Sequence, residues 1–290
     1  MAEDQWRMGF HIMPRSGIFN APLAFNQTDG NYQLHCQNIP SNGAQDTEWI
    51  HMSSPNLVYW HYENNDNSQI SPDHHDVCDR DLADMNAGEH GFDFSSPTAL
   101  VNNEGRHIAL ALMANTDAPY STAPDGLTWA NCLSVPRELT RDAQGALLQY
   151  PPVELEALRM RENQINPLAG SLFPDHRADI LFSGITDTSD FQIDLDEACH
   201  ISYSDSALSL SFSDLRVSAG RNVCKAHIAA LHDLRLLIDS SSIEIFANKG
   251  KSVLTSRWFP RSNTFLVRCC IHCESAAAWT MDDVLYLTYE

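Results

Sequence analysis

Short runs of apolar and aromatic residues, broken every few positions by polar turn formers, make up most of the chain. From Gly30 to Tyr62 the runs are NYQLHCQNIP, EWIHMSS and NLVYWHYE, which predict a meander of short strands. Residues 64–90, NNDNSQISPDHHDVCDRDLADMNAGEH, carry almost no apolar periodicity and predict a loop or junction. Strand-like runs resume at GFDFSSPTALV, RHIALALMA and WANCLSV. In VELEALRMRE the apolar positions Val153, Leu155 and Leu158 sit in a helix-forming composition, which predicts a short linking helix. After Pro167 strands return, most clearly in LRLLIDSSSIEIFANKGKSVLTSRWFP, where Ile243, Ile245 and Ala247 alternate with Glu244, Phe246 and Asn248. Gly250 closes a hairpin there, and short strands at this spacing predict a β-sandwich.

Composition narrows the function classes. A chain of 290 residues with 43% hydrophobic content buries a proper core, as two domains or one large all-β domain. Its 38 acidic and 18 basic residues give a net charge of −20, which repels phosphate backbones and anionic lipid heads. Nucleic acid and membrane surfaces are therefore not expected partners. The start, MAEDQWRMGFHIMP, lacks a basic stretch followed by a long apolar run, and no later window approaches a membrane span. The eight cysteines are scattered over a long chain, as free thiols in a reducing cytoplasm would be. Cytoplasmic localisation follows as the expectation, and no cofactor is implied.

The C-terminal run, with its Ser-Ser-x-Glu-x-Phe core and TSRWFP ending, resembles the C-terminal sandwich of glycoside hydrolase family 32, the invertases, inulinases and sucrose-6-phosphate hydrolases. FHIMPRSGIFNAP resembles that family's entry motif, His-Phe-x-Pro-x-x-Gly-Trp-Met-Asn-Asp-Pro-Asn-Gly. EWIHMSSPNLVYWHY resembles its Trp-Gly-His run, and GFDFSSPTALVNNEGRHIALALM with TWANCLSVPRELT resembles its last propeller blade. The resemblance implies a five-bladed β-propeller joined to a β-sandwich. It also implies retaining hydrolysis of β-fructosides, in which one carboxylate attacks the anomeric carbon and another serves as acid and base.

Matched residue by residue, the motif's Asn is Asn20, but its nucleophilic Asp falls on Ala21, its Trp on Ile18, its second Asn on Leu23 and its Gly on Ala24. A last-blade Trp falls on Leu112. The segments that bear the family's Phe-Ser-Gly-Ser, Arg-Asp-Pro and Glu-Cys motifs have no counterpart between ISPDHHDVCDRD and GEHGFDF. The expected fold is all-β: a two-blade remnant of the propeller over 1–150, with a first blade at about 1–82 and a last blade at about 89–150, a linker with a short helix over 151–167, and a sandwich over 168–290. Two blades leave strand edges open, so cover by the sandwich or by a second copy in a homo-oligomer is expected.

No catalytic residue is assigned, because the nucleophile position holds Ala21. Asn20, Gln37, Trp49, His51 and Asp93 are the candidate remnant of a substrate site, and fructose-containing saccharides the candidate partners. Asp46, Glu48 and Asp93 are the carboxylates that could replace a lost one, though solvated turn roles fit them better. Cys270 and Cys273 around His272 form the start of a zinc-like set, but no second pair follows, so strand thiols are expected. His74, His75, Asp76, Cys78 and Asp79 have metal-ligand chemistry but correspond to a family loop, and no metal is assigned. Trp129 and Arg137 match packing positions. The expected function is that of a degenerate, inactive family member with residual carbohydrate binding. The alternatives are an active β-fructofuranosidase with a recruited carboxylate or a partner chain, and a non-catalytic interaction module.

Overall fold

The computed structural model describes residues 5–40, 47–63, 79–114, 128–186, 190–262 and 264–284, and strands dominate them. β1 (Gly17–Thr28), β2 (Asn31–Ile39), β3 (Glu48–Ser54) and β4 (His61–Tyr62) form an antiparallel meander. Next come α1 (Asp79–Ala87), β5 (Ser95–Val101), β6 (His107–Leu112), β7 (Trp129–Ala130), β8 (Arg137–Arg141) and β9 (Leu147–Tyr150). Strands β5, β6, β8 and β9 make a second antiparallel sheet, whereas β7 joins the first one, parallel to β1, with Trp129 beside Gly17. The sheets fall in the regions expected for a first and a last blade, except that β7, within the expected last blade, joins the first sheet; they are termed the first and second blade.

Period-two patterning orients the first blade. On β2, Tyr32, Leu34, Cys36 and Asn38 are buried while Gln33, His35 and Gln37 are half-exposed. The buried side joins Phe19 and Phe25 in one core with Leu100, Ile108, Leu110 and Leu112 of the second blade. Asn102 Nδ2 donates to the Tyr32 hydroxyl at 3.1 Å, and the Asn103 amide donates to Gln27 Oε1 at 2.8 Å, which ties the blades together at the rim of that core.

Residues 64–90 were expected to be a loop, yet their last third holds α1. Met85 is wholly buried against Ala109 and Leu139, which face away from the inter-blade core. Asp81 accepts from Arg141 Nη2 at 2.5 Å and lies 3.1 Å from His107 Nδ1, while Gln149 Nε2 donates to the Met85 carbonyl. Met85 and two carboxylates, Asp81 and Asp84, both paired with Arg141, anchor this helix, so hydrophobic periodicity gives no sign of it.

The predicted linking helix is a 3₁₀ turn over Val153–Leu158, and the residues after it extend as β10 (Arg159–Asn163). Tertiary partners override helix propensity here: Arg159 Nε donates to buried Asp179 at 2.8 Å, and its guanidinium lies 4.0 Å from the Trp279 ring centre. There follow β11 (Gly170–Phe173), β12 (Arg177–Ser183), β13 (Phe191–Leu195), β14 (Cys199–Ser204), β15 (Ala207–Phe212), β16 (Val223–His227), β17 (Asp233–Asp239), β18 (Ser242–Ala247), β19 (Ser252–Arg257), β20 (Phe265–Cys270) and β21 (Ser275–Met281). They form two six-stranded sheets, β10-β21-β12-β17-β18-β19 and β11-β20-β13-β14-β15-β16, which share a core that includes Ile180, Phe182, Ile193, Leu195, Ile201, Leu236 and Ile245.

Every residue of β18 is buried, Glu244 included, so the alternation read in its sequence does not separate core from solvent. Segments from the N-terminal half cover the other side. The Glu89 carboxylate accepts from the Thr255 amide at 2.8 Å and its hydroxyl at 2.7 Å, and the Gly9 amide donates to Asp239 at 2.6 Å. A Cβ at Gly91 would fall 2.1 Å from the Thr255 backbone, which only glycine avoids. The compact unit holding the sandwich accordingly takes in Met1–Gly9, Gly88–Phe92 and Leu158–Asp282, and the blades occupy Phe10–Ala87 and Asp93–Ala157.

Candidate functional site: the bend in the first blade

The bend at Asn20–Pro22 begins at Gly17, whose φ of +94° and a hypothetical Cβ only 2.5 Å from the Ile39 carbonyl oxygen exclude any other residue. Asn38 Nδ2 donates to the Ser16 carbonyl at 3.1 Å. The register between β1 and β2 then slips twice, between Phe19 and Pro22 and between Pro22 and Ala24. Such bulges re-aim side chains out of a ladder. Asn131, itself at φ 65°, fixes the Phe19 carbonyl with a 2.7 Å hydrogen bond. Ala21 stands at the bulge half-buried, with a methyl group that neither attacks carbon nor carries charge.

Beside it, Asn20 Nδ2 donates to Gln37 Oε1 at 3.3 Å. Across the β2–β3 ladder Gln37 stands opposite Trp49 and His35 opposite His51, so the half-exposed face of the blade gathers four of the five candidate residues: Asn20, Gln37, Trp49 and His51. Trp49 remains 36% exposed. A cleft of about 350 Å³ opens here, walled by Trp49, His51 and Glu48 of β3 together with Arg15, Ser16, Asn38, Ile50, Tyr62 and Glu63. The Arg15 guanidinium lies 4.5 Å from the Tyr62 ring centre, and buried Asn38 Oδ1 has no hydrogen-bond partner among the described residues.

The histidines form a stacked pair, with ring centres 4.2 Å apart and planes 8° from parallel. His51 Nε2 lies 2.7 Å from Gln33 Oε1, placing its proton toward the amide oxygen. Burial lowers the pKa of His35, and the neighbouring His51 lowers it further. Burial also lowers that of His51, against the opposing pull of Glu63.

Asp93, the fifth candidate, is 2% exposed and is not part of the cleft wall. Glu48 lines the cleft; Asp46 lies outside the described residues, as do His74, His75, Asp76 and Cys78. Arg15, Asn38 and Glu63 were not anticipated. Their signal is the pairing of Asn38 with Glu48 and of Met52 with Tyr62, which requires the register to be known. Arg137 is wholly buried and donates to Gln149 at 2.7 Å, while its guanidinium lies 4.8 Å from the Phe94 ring centre, a packing role. Among the described residues no three His, Cys, Asp or Glu side chains group as metal ligands, and no helix is long and apolar enough to cross a membrane.

Residues 11–76 and 62–151 match the model of the glycosyl hydrolases family 32 N-terminal domain in two pieces, and residues 170–276 match that of the family 32 C terminal. The chain belongs to glycoside hydrolase family 32. It is 34% identical over 184 residues to a sucrose-6-phosphate hydrolase of Bacillus subtilis, a match covering 59% of this chain and 37% of that protein. The chain thus spans little more than a third of that relative's length, in keeping with an internally truncated member of the family. The solved structure of a sucrose-6-phosphate hydrolase from Lactobacillus gasseri superposes with a TM-score of 0.78 at 18% identity, covering 98% of this chain and 94% of that one. A Bombyx mori β-fructofuranosidase in complex with sucrose superposes at 0.75 and 14% identity, covering 97% and 95%. At these identities the likeness is one of fold.

Proposed function

We propose that this chain is a family 32 protein without glycosidase activity, whose first blade keeps a weak fructoside-binding surface at Asn20, Gln37, Trp49 and His51. The observation that carries the reading is Ala21 on the bulge of β1, where the family motif places its nucleophilic carboxylate. Loss of one member of a cooperating catalytic set lowers turnover by roughly 10⁴ to 10⁶, and the acid/base and Arg-Asp-Pro segments are missing as well. The binding half rests on the polar face beside Ala21, where an exposed indole and amide groups offer stacking and hydrogen bonds to a sugar. Cys36, Cys199 and Cys269 are buried free thiols, which supports a reducing, cytoplasmic setting.

Calorimetry with sucrose tests the binding half. The expected result is millimolar binding that Trp49→Ala abolishes; binding unchanged in that variant would move the surface elsewhere. A second reading, an active fructosidase with a recruited carboxylate, is favoured by one observation: Glu48 lines the same cleft as Trp49.

A further inference from the structure

Within the sandwich, the turn after β13, the segment after β15 and the loop between β19 and β20 enclose a cleft of about 530 Å³. Trp258 forms part of its wall. This side chain is 0% exposed, its ring packs edge-on against His176, and its indole N–H has no acceptor among the described residues. A buried donor in that state gains from any acceptor a ligand brings.

The charged groups of the same wall are unevenly committed. Asp196 accepts from His176 Nε2 at 2.7 Å and from the Leu266 amide at 2.9 Å. Asp214 is gripped by the Arg216 guanidinium at 2.7 and 2.8 Å, which holds its carboxyl down to about 2. The side chains of Arg261 and Arg268, by contrast, line the cleft exposed and make no hydrogen bond or ion pair with the described residues. The carboxylates they sense, Asp214 and Asp194, already have closer partners in Arg216 and His200. In a chain of net charge −20 this leaves one concave surface where free donors outnumber free acceptors.

We propose that this cleft binds a small phosphomonoester, its oxyanion held by the guanidinium groups of Arg261 and Arg268 and by the indole N–H of Trp258. Guanidinium forks match the oxygens of a phosphate, and two of them balance the −1.5 to −2 charge such a group carries at neutral pH, roughly twice that of a carboxylate. Glu197, the remaining wall carboxylate without a partner among the described residues, accepts a hydroxyl of the esterified alcohol.

Two-dimensional NMR of the ¹⁵N-labelled full chain reads the site directly, because each of the six tryptophans gives one indole N–H signal and Trp258→Phe identifies the relevant one. The probes are inorganic phosphate, glycerol 3-phosphate, glycerol and sodium chloride, at matched ionic strength. Both phosphates are expected to move the Trp258 signal saturably, with a Kd of about 1 mM or below and tighter binding of the ester. Arg261→Ala and Arg268→Ala, at exposed positions that leave the core untouched, are each expected to weaken binding about tenfold. The proposal is overturned if the signal stays still in phosphate, moves equally in chloride, or moves with glycerol alone. Unchanged affinity in both arginine variants would overturn it too.

Discussion

At the bend of β1, the methyl group of Ala21 sits beside two hydrogen bonds: Asn131 holds the Phe19 carbonyl and Asn20 meets Gln37. Asn20 and Gln37 were singled out in the sequence by resemblance to a short motif, whereas Asn131 was not. Arg15, Asn38 and Glu63 were not singled out either, since the cleft wall is assembled by the β2–β3 and β3–β4 pairings, whose register period-two patterning alone does not set. The stacked pair His35 and His51 adds a pH dependence whose sign is fixed. Both rings bind a proton less readily when folded than at their ordinary value of 6.5, so the unfolded chain takes up protons first as pH falls. Their contribution is therefore intact above pH 6.5 and declines below it, through the lowered folded values. Thermal melts between pH 7.5 and 5 should show a steeper loss for the natural chain than for His35→Gln; parallel curves would show that the pair does not titrate in this way.

Among the elements, the strands of the first meander followed from short apolar runs, their reading as propeller blades from the family resemblance, and the sandwich from strand spacing. α1 escaped notice because its buried side consists of Met85 and a carboxylate, Asp81, rather than an apolar stripe. Its position gives it a clear role. It covers the face of the second blade opposite the inter-blade core, the face that a neighbouring blade covers in a closed propeller, and so shields Ala109 and Leu139 from water. Met85→Ala should lower stability by about 2–5 kcal/mol and speed amide exchange in β6 and β8, with β1 and β2 less affected. Equal acceleration in all four strands would mean that the helix stabilises the blades only as part of a global transition.

For the molecule as a whole, family membership was legible because ordered motifs survive over most of the chain, and the sandwich could be located from them. The sequence did not reveal that segments ending at Gly9 and Phe92 complete the sandwich, because Glu89 and Gly91 meet Thr255 only after long-range folding. The N-terminal model matches in two pieces and position 21 carries a methyl group, and the function proposed above is that of a scaffold kept without its hydrolytic centre. Fructose release from sucrose and from sucrose 6-phosphate, measured side by side for the natural chain, Ala21→Asp, Glu48→Gln and Asp93→Asn, tests this most directly. No turnover above the uncatalysed background is expected for any of them, because one restored carboxylate lacks both an acid and a stabilising partner. Clear turnover by the natural chain, lost in Glu48→Gln or Asp93→Asn, would contradict it.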